Sequence, residues 1–173
     1  MTGFFRKLAV LCALSVSTMA GGAGAQEALP APEGPVVLTV SGDIARTNDG
    51  ETAAFDMEML RDLGTVTIET STIWTEGPQT FEGVEIGTLL EALGADGATL
   101  TASAINDYSV TIPSTDWGPG QAVLAFTRNG EEMSRRDKGP LWIIYPYDSD
   151  EAFQTETIYS RSIWQLNRLQ VGE

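Results

Sequence analysis

Lys138-Gly139-Pro140-Leu141-Trp142-Ile143-Ile144-Tyr145-Pro146 is the stretch on which the fold turns. Leu141 to Tyr145 present no polar face, so they read as a fully buried run that Pro146 stops. Working back from it, Asn129-Gly130 is a hairpin signal that folds Ala122–Thr127 onto Glu131–Ser134. Thr99–Ala104 and Asp107–Ile112 are further strands bounded by Gly, Asn, Asp or Pro. Thr65 to Thr70 alternates as a half-buried strand, and Val36–Val40 is another, ended by Ser41-Gly42. Two short helices interrupt them. Phe55–Leu63 places Phe55, Met59, Leu60 and Leu63 on one face before Gly64, and Ile86–Leu93 does the same with Ile86, Leu89, Leu90 and Leu93 before Gly94. Ile158 to Val171 reads as a final strand with a bend. The expectation is one α+β domain over residues 36–173, rich in strands, with mixed sheets and two short helices.

Residues 1–25 carry a different pattern. Arg6 and Lys7 precede an apolar run, Leu8 to Ala20, too short to span a bilayer, and Ala23-Gly24-Ala25 offers a cleavage site before Gln26. This reads as a signal peptide for export to a periplasm or the exterior, leaving no membrane anchor. Residues 26–35, with Pro30, Pro32 and Pro35, form an extended leader. Cleavage would remove Cys12, the only cysteine. The chain has no histidine, so Ser-His-Asp, Cys-His and His-ligated metal chemistry are absent from the exported part.

The 173 residues include 24 Asp and Glu against 10 Lys and Arg, a net charge of −14. That excess opposes nucleic-acid binding, which needs clustered cations to displace counterions. Arg135-Arg136-Asp137-Lys138 is the one basic cluster, a candidate for holding a small organic anion or a cofactor phosphate, or a solvated turn on an acidic surface. Carboxylates near aromatic residues (Glu69, Glu76, Glu82 and Asp107) would suit a glycosidase pair, but so many acids place some there by chance. Asp148-Ser149-Asp150-Glu151 lacks the spacing of a calcium loop and reads as a turn.

The order of segments resembles the molybdopterin-binding domain of the sulfite oxidase family. Trp74 with Thr80-Phe81-Glu82-Gly83-Val84-Glu85-Ile86-Gly87-Thr88-Leu89-Leu90 is similar to that family's aromatic-x-Gly-hydrophobic segment leading into a helix. Asn106 to Pro113 is similar to its strand closing on proline, Lys138 to Pro146 to its Gly-x-Pro-Leu stretch, and Arg161-Ser162-Ile163-Trp164-Gln165-Leu166 to its basic residue before the last strand. The resemblance implies a pterin pocket with Lys138 and Arg161 on its cofactor side and Trp74, Tyr108, Trp117 and Trp142 in or beside its walls. Trp142 and Trp164 also read simply as core.

The family's metal-binding cysteine is missing. Its position falls on Thr70 or Ser71, whose hydroxyls are harder and far more basic than a thiolate. The resemblance therefore implies the fold without the activity. The reading is a non-catalytic binding domain for a small anionic or aromatic ligand, or for a periplasmic protein partner. Arg135, Arg136, Lys138 and Arg161 would hold the anion, Trp74 and Tyr108 would form walls, and no cofactor would be needed. The alternative is a molybdopterin-dependent oxidoreductase that keeps its cofactor without a cysteine.

Overall fold

A computed structural model describes residues 28–173; the signal-peptide reading lies outside them. The strands are β1 (Leu38–Gly42), β2 (Ala53–Phe55), β3 (Val66–Ser71), β4 (Pro78–Glu85), β5 (Thr99–Ala104), β6 (Ser109–Pro113), β7 (Val123–Arg128), β8 (Glu131–Glu132), β9 (Trp142–Ile144) and β10 (Leu166–Gly172). The helices are α1 (Met57–Asp62), α2 (Ile86–Ala92) and α3 (Glu156–Arg161). One sheet runs β2-β1-β10-β5-β6, and the other β3-β4-β7-β8 with β9 also on β7. Only β1 and β10 pair in parallel, so the α+β reading with mixed sheets holds.

β7 and β9 are buried along nearly their whole length, as the all-apolar run requires. Asn129 and Gly130 both take positive φ, 53° and 81°, which a two-residue turn matched to strand twist needs. β4 has no counterpart among the sequence-read elements. Its alternation is broken by Gly83, and there a register shift marks its pairing with β7. A Cβ on Gly83 would lie 2.3 Å from the Leu124 carbonyl oxygen, so the close approach of the two backbones requires glycine.

The expected final strand from Ile158 is corrected: Glu156–Arg161 is a third helix, and β10 starts only at Leu166. The Thr155 hydroxyl caps α3 by accepting from the Ile158 amide at 3.3 Å. This six-residue helix buries Ile158 alone, leaving no helical stripe to read. The residues that follow stitch the sheets together. Ile143 N–H donates to the Ile163 carbonyl (2.9 Å), Leu166 N–H to that of Leu141 (3.0 Å), and Trp142 bridges Trp164.

The leader is tied down by Asp56, the N-cap of α1. Its carboxylate accepts from the amides of Met59 (2.9 Å), Gly34 (2.7 Å) and Glu33 (2.8 Å). These donors, Met59 first, hold its pKa below the ordinary 3.8, against an opposing push from burial. A lowered folded-state pKa gives stability that is full above the unfolded value and is lost as pH falls through the folded one. Stability should therefore begin to drop below about pH 4. Asp56→Asn should be less stable at pH 7 and flatter over that acid limb in denaturant titrations. Parallel curves for the two proteins would assign the acid sensitivity elsewhere.

Candidate functional site

The seam between the sheets carries a pocket of about 280 Å³. Trp74, in the turn after β3, enters it from one sheet; Ala104, Asn106 and Tyr108, around the β5–β6 turn, enter from the other. Tyr159 through Gln165, excepting Arg161, closes it from α3 and the link to β10. Trp74 is the hub. Its ring lies 5.6 Å from Trp164, 5.8 Å from Tyr159 and 5.8 Å from Trp142, each in an edge-on arrangement. Trp142 is fully buried, whereas Trp164 is 37% and Tyr108 55% exposed, so the core reading fits Trp142 and not Trp164.

The structure thus brings Trp74 and Tyr108 to one pocket. Trp117 is elsewhere: half-buried, its indole N–H without a partner, its carbonyl packed against Gly87. Sequence reasoning missed Tyr159, Asn106 and Gln165. Tyr159 lies in the unread helix, and the two amides lie in turns within segments that carry the family resemblance, at positions to which that resemblance gives no role.

The cations divide into two groups. Arg161 sits between two lining residues, but its guanidinium turns to Asp116, 2.9 Å away. The same Asp116 oxygen accepts from the Tyr145 hydroxyl at 2.9 Å, and its other oxygen accepts from Thr115. Burial first, and then the Asp116 charge, push the Tyr145 phenol well above its ordinary pKa, so it remains a donor. Burial likewise raises Tyr147, whose hydroxyl donates to Ser162 Oγ at 2.6 Å.

Arg135 and Arg136 are exposed and enter no ion pair among the described residues. Their turn touches the pocket wall: Gln165 donates its side-chain amide to the Arg135 carbonyl (2.6 Å) and its backbone N–H to that of Lys138 (3.0 Å). The Lys138 ammonium lies 4.4 Å from the Trp164 ring centre and 5.4 Å from that of Trp142.

Thr70 and Ser71 close β3. Thr70 is buried; its hydroxyl accepts from the Asp148 amide at 3.1 Å and donates to the Ser71 carbonyl, while the Ser71 amide donates to Asp148 Oδ2 at 2.6 Å. Both Thr70 and Asp148 are thereby engaged in holding the 148 turn to the strand. Residues 28–173 contain neither cysteine nor histidine, and no described residues form a cluster of three metal-ligating side chains. This donor set does not fit a molybdenum held by a protein thiolate. Among the described residues no helix is long and apolar enough to cross a membrane. The carboxylates considered for glycoside hydrolysis do not line the pocket, and Glu82 accepts from the Thr127 hydroxyl.

No family model matches the chain, and no curated protein matches it. Among solved structures, it is similar to a chain in the crystal structure of the sulfane dehydrogenase SoxCD from Paracoccus pantotrophus, with a TM-score of 0.55 and 18% identity over 78% of this chain. The match spans 37% of that longer chain. The two share a strand-rich, sulfite-oxidase-like architecture, and the relationship is a distant one of fold.

Proposed function

We propose that the chain is an exported, non-catalytic binding domain on a sulfite-oxidase-like fold. It would hold a small ring-bearing ligand, aromatic or anionic, in the pocket of Trp74, Tyr108, Tyr159 and Trp164. The observation that carries this reading is the lining itself: aromatic rings, amides and hydroxyls, with no carboxylate, thiol, amine or imidazole to move a proton or attack a bond. Arg135 and Arg136, on the flank that Gln165 joins to the wall, are available for an anionic substituent. Arg161 acts through Asp116 rather than on the ligand. The charged start, apolar run and Ala23-Gly24-Ala25 support export.

One preparation tests both halves. Expressed in a host that makes molybdopterin, the exported protein should give an intact mass beginning at Gln26. Elemental analysis should find well under one molybdenum per chain, and neither sulfite nor sulfoxide should be turned over. A full molybdenum per chain with reductant-dependent turnover would establish the alternative, an oxidoreductase that keeps the cofactor through its pterin alone. A retained Met1 on cytoplasmic protein would remove export.

A further inference from the structure

The pocket has three features that together narrow its ligand. Its aromatic walls stand nearly perpendicular: Trp74 meets Trp164 at 70° and Tyr159 at 86°. A flat heterocycle can stack on only one such wall. A saturated ring in a chair, with C–H groups on its face and at its edge, can meet two.

Unused hydrogen-bonding capacity surrounds those rings. Among the described residues, the indole N–H groups of Trp74 and Trp164, the Tyr159 hydroxyl and the Asn106 amide N–H groups make no hydrogen bond, and none of them is a buried orphan. Gln165 adds an acceptor, its side-chain oxygen, because only its amide N–H is engaged. A ligand that satisfies several donors and an acceptor around an apolar cup carries multiple hydroxyls.

The third feature is the exposed surface around the mouth. Tyr108 and Trp164, with Ile73 and Ile105 beside lining residues, account for nearly all the large apolar side chains left exposed among the described residues. The exposed rings of Tyr108 and Trp164, both in the lining, extend the platform beyond one ring. The turn holding Arg135, Arg136 and Lys138 adjoins it through both Gln165 contacts, a local positive flank on a chain of net charge −14.

We infer that the site takes an acidic saccharide, one uronic acid ring against Trp74 and Trp164 and its carboxylate toward the 135–138 turn. This rests on the binding reading above and specifies its ligand. Without carboxylates in the lining, the saccharide is held and not hydrolysed.

Calorimetric titration of the purified protein with three probes tests it: a trimer of galacturonic acid, the neutral galactose trimer and indole-3-carboxylate. The acidic trimer should bind about tenfold or more tighter than the neutral one. Trp164→Ala and Arg136→Ala should each weaken it about tenfold. Tyr108→Ala, at a more exposed ring, serves as a second platform variant should Trp164→Ala lower the melting temperature. Tighter binding of indole-3-carboxylate would overturn the saccharide and leave the binding domain standing. Equal affinity for the two trimers would overturn the acidic specificity. No binding of any probe, with tryptophan emission unchanged, would overturn both the saccharide and the pocket on which it rests.

Discussion

Arg161→Ala is expected to lower the stability of the domain by about 3 kcal/mol, a fall in Tm of roughly 6–12 °C for a domain of this size. Asp116 is 6% exposed, and its carboxylate is stabilised by Arg161, the Tyr145 hydroxyl and Thr115. Removing the guanidinium leaves a buried negative charge with neutral partners only, and desolvation is then opposed by hydrogen bonds alone. The Arg161 side chain is itself about one-fifth exposed (22%), so water shares its site and the lower end of the range for buried pairs applies.

The double variant Asp116→Asn with Arg161→Ala should recover most of the loss, because the amide oxygen still accepts from Tyr145 while the charge is gone. Urea denaturation of the two variants separates the possibilities. If Arg161→Ala keeps its stability and loses ligand affinity, the cation serves the ligand, as the family resemblance implies. If stability falls and the double variant restores it, the cation serves Asp116.

That contrast explains which parts of the molecule were legible in the sequence. Leu141 to Tyr145 had to be buried, because no placement gives such a run a polar face, and β9 lies where it must. Asn129-Gly130 specified its turn through positive φ alone. These are local constraints, readable from a few adjacent residues.

Trp74 could be singled out because its neighbours are polar or turn-forming, which makes an aromatic ring there hard to explain as core; the same signal holds for Trp117, which the fold nevertheless places away from the pocket. Arg161 could not be sorted from Arg136 by the same means. Its partner Asp116 is 45 positions away, and the pairing exists only once α3 folds against the turn after β6. The α3 helix itself was hidden because six residues with one buried side chain give no period to detect. β4 was hidden for a related reason: Gly83 removes a side chain from the alternation at the point where the backbones come closest.

Trp142→Ala should be as damaging as Arg161→Ala or more so, costing about 4–5 kcal/mol, because the deletion acts on both sheets at once. The indole is fully buried on β9, paired to Ala125 of β7, and its ring meets Phe81 at 5.5 Å and 87°. Its N–H donates to the Ser162 carbonyl at 3.1 Å, in the link that carries the chain from α3 toward β10. Alanine would leave a cavity among rings that cannot collapse without shifting strands, and it would orphan a buried carbonyl.

Trp142→Phe separates these contributions. It retains a ring against Phe81 and Trp74 while losing the N–H, and should cost less than half as much. The two variants also report on function. Trp74 and Trp164 both rest against Trp142, at 5.8 and 6.4 Å, so its removal takes away the floor beneath the pocket. In Trp142→Ala, near-ultraviolet circular dichroism should lose its tryptophan structure, and ligand affinity should fall even under conditions where the chain remains folded. Trp142→Phe should keep most of that affinity. Unchanged binding in Trp142→Ala would show that Trp74 and Trp164 hold their positions without it, and that the pocket is built by the turns rather than by the core beneath them.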